Sequence, residues 1–283
     1  MLRVHRRTEL RAALEHLRSK RRRLALVPTM GNLHAGHLSL IDRARREADG
    51  VVVSIFVNPL QFAPHEDFAR YPRTLDGDTA ELRTAGVDVL YAPEIDAIYP
   101  NGYPPATRIC LHGPLSDELE GAFRPRHFDG VATVVAILLQ QVRPDVAVFG
   151  EKDWQQLAVI RRMVSDLGIP VDIVGQPTIR TGDGLALSSR NQYLTDEQRQ
   201  RAPRLQAALD QIGQALRAGS RDFDGLCKRQ SAVLETAGFR VQYLEIRRPD
   251  LSAPTPEDSG FVVLAAAYLG DIRLIDNLPV DAH

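Results

Sequence analysis

The chain has 283 residues, of which 44% are hydrophobic and 25% charged, a balance typical of one large or two modest globular domains. Its formal net charge of −1 gives no overall electrostatic reason to bind nucleic acid or an anionic membrane. The two cysteines, Cys110 and Cys227, imply no disulfide framework, and no apolar run approaches the roughly 18 residues of a membrane-spanning helix. We therefore expect a cytoplasmic protein without nucleic-acid or membrane partners.

The first part of the chain alternates between helical and strand patterns. In chain order the predicted elements are a helix over 10–17, a strand over 24–28, a helix from 36, a strand over 51–57, a helix over 78–85, a strand over 87–91, a helix over 131–142, a strand over 145–150, a helix over 155–167 and a strand over 171–174. The basic cluster at 18–23 is predicted as a loop, and the Pro- and Gly-rich segment 93–128 as a loop with short elements. Alternating helices and apolar strands predict a parallel sheet with helices on both faces.

The pattern changes after about residue 175. Two long helical stretches, 196–217 and 222–237, are followed by three short strand patterns, which lie at 241–246, 261–268 and 272–275. This order predicts a smaller α+β domain. The fold class is therefore α/β, with a parallel-sheet domain over 1–176 and a C-terminal domain over 177–283.

Two histidines flank a glycine where the strand at 24–28 gives way to a helix. This stretch runs Val27-Pro28-Thr29-Met30-Gly31-Asn32-Leu33-His34-Ala35-Gly36-His37. The free N–H groups and the dipole of a helix start favour an anion, and the glycines let the backbone approach it closely. A helical zinc pair is usually spaced i,i+4 with a carboxylate nearby, so the i,i+3 spacing of His34 and His37 favours phosphate over metal.

Three further segments place polar side chains at predicted strand ends or in loops. Asn58–Phe62 offers neutral amides suited to a small hydroxylated or carboxylated molecule. Gly150–Asp153 sets a lysine charge before a helix start, and Arg180–Asn191 sets two serines and an arginine after a glycine-rich loop. Asn58–Phe62 alone favours an ordinary turn, and each of the other two segments alone is equally compatible with a charged helix start or a surface loop. Together they indicate a nucleoside triphosphate. The chain has no P-loop, no protein-kinase signature set and no G-x-G-x-x-G after a strand.

The His34-Ala35-Gly36-His37 motif resembles the signature of the nucleotidyltransferase superfamily. Longer segments resemble the pantothenate synthetase (pantoate–β-alanine ligase) family, almost from end to end. They are Pro28–His37, Ser54–Phe62, Tyr71–Thr74, Glu120–Pro125, Phe149–Asp153, Leu187–Asn191 and Leu274–Asn277.

The resemblance implies a reaction in two steps. Pantoate and ATP form an enzyme-bound pantoyl adenylate and release pyrophosphate; the amine of β-alanine then attacks the acyl carbon, giving pantothenate and AMP. The resemblance also implies a Rossmann-like N-terminal domain, a requirement for Mg²⁺ and a homodimer.

The resemblance and the chemistry together assign roles to individual residues. The candidates for catalysis are His34, His37, Lys152, Ser188, Ser189 and Arg190. The candidates for ATP binding are Met30, Gly31, Asn32, Leu33, His34, Ala35, Gly36, His37, Gly150, Glu151, Lys152, Asp153, Ile179, Leu187, Ser188, Ser189 and Arg190. The candidates for substrate binding are Gln61, Gln156, Asn58 and Arg124, and Asp78 is a candidate ligand for Mg²⁺, which the ATP phosphates would mainly hold.

The family usually assigns His37 as a proton donor. We expect both histidines to act mainly by stabilising charge, because pyrophosphate bound to Mg²⁺ needs little protonation to leave. Two alternative functions stay open. One is another nucleotidyltransferase, which would release a stable nucleotidylated product. The other is a non-catalytic nucleotide- or RNA-binding module, which would bind RNA in a salt-sensitive way without turning over ATP.

Overall fold

The computed structural model describes residues 1–19, 23–63 and 66–282, so residues 20–22 of the predicted basic loop lie outside the described part. The helices are α1 (Arg7–Arg18), α2 (Ala35–Glu47), α3 (Leu75–Thr84), α4 (Ile95–Ile98), α5 (Pro114–Asp117), α6 (Glu120–Phe123), α7 (His127–Val142), α8 (Trp154–Asp166), α9 (Asp196–Arg201), α10 (Arg204–Arg217) and α11 (Phe223–Thr236). The strands are β1 (Leu2–Val4), β2 (Leu24–Thr29), β3 (Gly50–Ile55), β4 (Val89–Tyr91), β5 (Val146–Gly150), β6 (Asp172–Gln176), β7 (Phe239–Arg247), β8 (Gly260–Leu269) and β9 (Ile272–Asp281).

Six parallel strands form the first sheet, in the order β1-β4-β3-β2-β5-β6. Side chains alternate along the buried strand β2. Leu24 and Leu26 pack into the layer of α1, α7 and α8, whereas Ala25 and Val27 pack into the layer of α2 and α3. The predicted parallel sheet with helices on both faces is confirmed.

The direction of winding reverses at β2, because β3 lies on one side of it and β5 on the other. Open α/β sheets bind ligands at the carboxyl ends of the strands beside such a reversal. The segments that follow β2, β3 and β5 carry three of the four polar segments found in the sequence. The topology therefore gathers them at one edge of the sheet.

Three antiparallel strands, in the order β7-β8-β9, form the second sheet. Its core joins apolar side chains of α10 and α11 to the sheet and is separate from the cores of the first sheet. The predicted small α+β unit is confirmed. None of the helices in the described ranges is both long and apolar enough to cross a bilayer.

Besides shifts in element bounds, such as α7 beginning at His127, the structure differs from the predicted elements in three places. β1 was not predicted; it is a three-residue edge strand that pairs with β4. The helix predicted over 196–217 is two helices, because Pro203 caps α10 and has no N–H to continue α9. β9 runs to Asp281 and includes Pro279, which an edge strand tolerates.

Candidate active site

Two adjoining cavities open at the carboxyl edge of the first sheet. The smaller, about 250 Å³, is lined by the β2–α2 turn and the end of β5. The larger, about 680 Å³, lies between the first sheet's helices and the second sheet. Both cavities are lined by the same five polar residues, Lys152, Asp153, Gln156, Ser188 and Arg190. A molecule in one cavity can therefore meet a molecule in the other.

His34 is the N-cap of α2. Its Nδ1 accepts a hydrogen bond from the backbone N–H of Gly36 at 3.1 Å. A Cβ atom at Gly36 would lie 2.8 Å from Cε1 of the His34 ring, so this glycine leaves the room that the ring occupies. Because Nδ1 accepts, the proton of the neutral ring is on Nε2, which is free to donate.

His37 lies one turn into α2, and its ring centroid is 4.1 Å from that of His34. Its Nδ1 is buried and has no hydrogen-bond partner among the residues that the structure describes. Burial, and then the nearby His34 and Lys152, lower the pKa of His37 to about 3. Burial and Lys152 also lower the pKa of His34. Both rings are therefore neutral at neutral pH and act as hydrogen-bonding groups.

The turn before α2 is fixed by Asp78, a buried residue of α3. Its two carboxylate oxygens accept hydrogen bonds from the backbone N–H groups of Asn32 (3.0 Å) and Leu33 (2.9 Å) and from the Thr74 hydroxyl. The turn needs Gly31, whose φ is +80°, and a Cβ atom there would lie 3.0 Å from the Asp78 carboxylate. Asp78, the candidate metal ligand, thus accepts hydrogen bonds from two of the ATP-binding candidates, Asn32 and Leu33, and from Thr74.

The Ser188–Arg190 segment crosses the β2–α2 turn. Ser188 caps a short 3₁₀ turn over Ser189–Tyr193 by accepting from the backbone N–H of Arg190 at 3.3 Å. The Ser189 hydroxyl donates to the carbonyl oxygen of Asn32 at 3.2 Å. This contact brings together segments 157 residues apart in sequence. Two of the predicted phosphate-binding segments therefore meet directly.

Gln61 and Asn58 follow β3. The Gln61 side chain points to the β2 loop, where its Nε2 lies 3.0 Å from Sδ of Met30, and it lines the smaller cavity. Asn58 is only 1% exposed; its Nδ2 donates to the carbonyl oxygen of Gly130, and its Oδ1 accepts from the Tyr99 hydroxyl at 2.7 Å. Asn58 therefore stabilises the turn over Pro59–Gln61 through hydrogen bonds, whereas the Gln61 side chain faces the smaller cavity.

Arg124 lines the larger cavity inside a network of charges. It donates to both oxygens of Glu66, at 2.7 and 2.8 Å, and to the carbonyl oxygen of Gln61 at 3.2 Å. His127 Nδ1 donates to the same carbonyl at 2.8 Å, which leaves its Nε2 to accept from Arg124. Burial, and then Arg124, lower the pKa of His127 to about 4, so the ring is neutral.

A second part of this network reaches the C-terminal sheet. Arg273 of β9 donates to both oxygens of the buried Glu120, at 2.5 and 3.0 Å, and the Tyr243 hydroxyl donates to the same carboxylate. Burial alone would raise the pKa of Glu120, but Arg273 and then Arg124 hold that pKa below its ordinary value. The floor of the larger cavity therefore carries paired charges from both parts of the chain.

The structure brings most of the predicted site residues to the smaller cavity. Those in its wall are Met30, His34, Gly36, His37, Gln61, Gly150, Lys152, Asp153, Gln156, Ile179, Leu187, Ser188, Ser189 and Arg190. Outside its wall are Gly31, Asn32, Leu33, Ala35, Glu151, Asn58, Asp78 and Arg124.

Several residues at the site were missed by sequence reasoning. Glu66, His127 and Arg273 were not predicted, although each has polar contacts in or beside the larger cavity. Glu66 and Arg273 lie far along the chain from their partners, and His127 belongs to no recognisable motif although it is three residues from Arg124. The ion pair of Arg180 and the buried Asp276 was not predicted either, because the two residues are 96 apart along the chain.

α2 begins beside the two neutral imidazoles, and Lys152 and Arg190 line the same cavity, at the point where the winding of the sheet reverses. This arrangement is typical of nucleotide-binding α/β enzymes. The protein-family model for pantoate-beta-alanine ligase matches residues 3–279 of the chain. The chain is 57% identical to the pantothenate synthetase of Azotobacter vinelandii, over 96% of both chains. It is also 57% identical to that of Thioalkalivibrio sulfidiphilus, over 98% of this chain and 97% of the relative.

Solved structures agree with these relatives. The crystal structure of pantothenate synthetase from Thermus thermophilus has a TM-score of 0.92 and 49% identity, covering 98% of this chain and 99% of that one. Pantoate-beta-alanine ligase from Francisella tularensis, complexed with beta-gamma ATP and beta-alanine, has a TM-score of 0.81 and 35% identity, covering 98% and 97%. The chain belongs to the pantoate–β-alanine ligase family.

Proposed function

We propose that the chain condenses pantoate with β-alanine to give pantothenate, using ATP and passing through a pantoyl adenylate. The observation that carries this proposal is the junction of the two cavities at Lys152, Gln156 and Arg190. A two-step reaction needs a nucleotide site that opens onto a site for an acid and an amine. Membership of the pantoate–β-alanine ligase family supports the same reaction.

In the first step a carboxylate oxygen of pantoate attacks the α-phosphorus of ATP, and the bond to the β-phosphate oxygen breaks. Negative charge grows on the phosphate oxygens as this happens. His34 and His37 stabilise that charge by donating hydrogen bonds from neutral rings at the start of α2. A His37 ring with a pKa of about 3 suits this role better than the transfer of a proton.

Lys152 and the Ser188–Arg190 segment contact the triphosphate from the opposite wall. Lys152 supplies a point charge, while Arg190 and the two serine hydroxyls supply directed donors. Support comes from the hydrogen bond between Ser189 and the Asn32 carbonyl, which keeps this segment against the β2–α2 turn. Catalysis is then mainly positioning and electrostatic stabilisation.

Gln61 and Gln156 bind pantoate, and Gln61 is also a candidate contact for β-alanine. Both side chains line the smaller cavity. Neutral amides orient the hydroxyl and carboxylate groups without neutralising the attacking oxygen. A cation beside that oxygen would weaken it as a nucleophile.

In the second step the amine nitrogen of β-alanine attacks the acyl carbon of the adenylate. The acyl carbon–oxygen bond breaks, AMP leaves, and the nitrogen loses a proton. Because the intermediate is a reactive mixed anhydride, water must be kept away from it. We assign β-alanine to the larger cavity, and closure over it to the C-terminal domain, residues 177–283. The separate core of that domain supports its movement as a unit against residues 1–176.

Mg²⁺ enters with ATP in this proposal. In residues 1–19, 23–63 and 66–282, no group of three or more histidine, cysteine, aspartate or glutamate side chains is placed to hold a metal ion. Mg²⁺ is commonly held by substrate phosphates, waters and one or two carboxylates. The side chains of the described residues therefore fit an ion that is carried mainly by ATP. Asp153, which lines both cavities, is the carboxylate best placed to join it.

The acyl-adenylate route is tested with pantoate labelled with ¹⁸O in its carboxylate. One labelled oxygen should appear in the phosphate of AMP, because the carboxylate oxygen that attacks phosphorus stays there when the amide forms. Unlabelled AMP would exclude the adenylate and favour another activated acid.

A homodimer in the cytoplasm is also part of the proposal, and sedimentation of the purified chain tests the dimer.

A further inference from the structure

Asn277, on β9 of the C-terminal sheet, contacts the turn that carries Lys152. Its Nδ2 donates to the backbone carbonyl oxygens of Glu151 and Lys152, each at 2.8 Å. A side-chain amide has two N–H donors, and both are used here on two successive carbonyls. Asn277 is 3% exposed, so water does not compete strongly for these bonds.

Asn277 is itself held by a partly buried ion pair. Arg180 donates to both carboxylate oxygens of Asp276, at 2.6 and 2.9 Å, and to the backbone carbonyl of Asn277 at 3.1 Å. The Asp276 carboxylate accepts from the backbone N–H of Asn277 at 2.8 Å. Bidentate arginine–carboxylate pairs are among the geometrically most restrictive contacts in proteins. The Asn277 amide therefore projects from a fixed backbone.

We infer that Asn277 is a positioning residue, which sets the Lys152 ammonium against the triphosphate by fixing the two peptide groups at the base of its side chain. The inference rests on the proposed role of Lys152. A lysine carries its charge on a flexible four-carbon stem, so the position of its backbone decides where that charge is available. Displacements of about 1 Å in such groups cost up to 10²-fold in rate.

The contact also links the two parts of the chain. The second sheet supplies Asn277, whereas Lys152 follows β5 of the first sheet. Lys152 is therefore correctly placed only when β9 is seated against the 3₁₀ turn at Glu151–Asp153. Adenylation becomes dependent on the position of the C-terminal sheet, although that sheet contributes no group to the phosphate site in the proposed mechanism.

A double-mutant cycle tests this inference against a merely structural role. The measured quantity is the single-turnover rate of pyrophosphate release, with saturating ATP and pantoate and without β-alanine. The variants are Asn277→Ala, Lys152→Ala and the double variant, all in the full chain. Asn277→Asp has the same shape but presents an oxygen instead of N–H donors to the two carbonyls. Val280→Ala, at a buried position of the same strand, is the control for disturbance of the C-terminal core.

We expect Asn277→Ala to lower the rate by about 10- to 10²-fold in the parent chain and by less than about threefold when Lys152 is already alanine. Asn277→Asp should be at least as slow as Asn277→Ala, and Val280→Ala should stay within about twofold. An equal loss from Asn277→Ala in both backgrounds would overturn the inference and leave the role of Lys152 standing. A fully active Lys152→Ala variant would overturn the proposed role of Lys152 and the inference with it.

Discussion

Nδ1 of His34 accepts a hydrogen bond from the backbone N–H of Gly36 at 3.1 Å, and this contact caps α2. Because Nδ1 accepts, Nε2 of the same neutral ring carries the proton and is a donor. The bond removes the ambiguity between the two neutral tautomers. It also ties the orientation of the donor to the start of α2, the helix that we propose binds phosphate. The two functions of the ring, the cap and the donor, can be separated by substitution.

His34→Asn and His34→Gln separate them. Asparagine places a polar atom near Nδ1 and keeps the cap but loses the distal donor, whereas glutamine places an amide nitrogen near Nε2. We expect His34→Asn to slow adenylation by roughly 10²–10³-fold, the usual effect of removing one transition-state donor, and His34→Gln to slow it less. Both rates are measured by pyrophosphate release. The opposite order would show that the cap, not the donor, matters for the chemistry.

His37 should act without changing its protonation state near neutral pH. Because its pKa is lowered to about 3, the ring is already neutral at pH 6 and stays neutral as the pH rises. We compare the pH profile of kcat/KM for ATP between pH 6 and 8 in the parent chain and in His37→Gln. The ratio of the two profiles cancels the titration of ATP and pantoate.

We expect that ratio to be flat across this range. A general acid with a pKa near 6.5 would instead make the parent profile fall as the pH rises, while His37→Gln would lack that fall. Such a difference would assign proton transfer to His37.

His127 should make the protein less stable in mild acid. Its pKa is about 4 in the folded chain and near 6.5 when unfolded, so between these values the unfolded state binds the extra proton. The free energy of unfolding should therefore decline as pH falls from 6.5 to 4 and lose no more from this group below pH 4. The shift corresponds to at most about 3 kcal/mol.

His127→Asn tests that contribution, because asparagine can still donate to the Gln61 carbonyl but does not titrate. Urea unfolding at pH 7 and pH 4.5 should show a smaller difference for His127→Asn than for the parent chain. His112→Asn, at an exposed loop position, controls for the substitution itself. An unchanged difference in His127→Asn would contradict the assignment.

Gln156 and Gln155 are neighbours with different surroundings. Gln156 lines both cavities, whereas Gln155 reaches the wall of the larger cavity only, is 3% exposed and bonds to the backbone of Glu120, Leu115 and Glu118. We expect Gln156→Ala to raise the KM for pantoate by about 10-fold or more with stability unchanged. Gln155→Ala, the matched control, should instead lower the free energy of unfolding by about 1–3 kcal/mol. Steady-state kinetics and urea unfolding of both variants separate the two roles.

The first sheet could be predicted because its strands are continuous apolar runs separated by helices with clear periodicity, as in Leu24–Val27 before α2. β1 could not, because its three residues include an exposed leucine and an arginine and show no pattern. The break between α9 and α10 could not be predicted from periodicity, because the helical spacing of apolar residues continues on both sides of Pro203. That spacing predicts one helix where the structure has two.

The candidate site was predictable only where it follows short sequence motifs. His34, Lys152 and Arg190 each lie in a polar segment that stands out beside apolar neighbours. Asn277 lies in the Leu274–Asn277 segment, but its proposed positioning role depends on contacts with carbonyls 125 and 126 residues away, which the sequence does not show. Asp78 is predicted as a candidate metal ligand because it is acidic. Its described side-chain hydrogen bonds come from the Thr74 hydroxyl and from the backbone of the β2–α2 turn, which only the packing of α3 brings near.

The central claim is that the chain forms a pantoyl adenylate, and exchange of labelled pyrophosphate into ATP tests it most directly. The purified full chain is incubated with ATP, Mg²⁺, labelled pyrophosphate and pantoate, without β-alanine. We predict exchange that requires pantoate and is lost in Lys152→Ala. Absence of exchange in a folded protein with all of these present, or exchange that proceeds equally well without pantoate, would contradict the account.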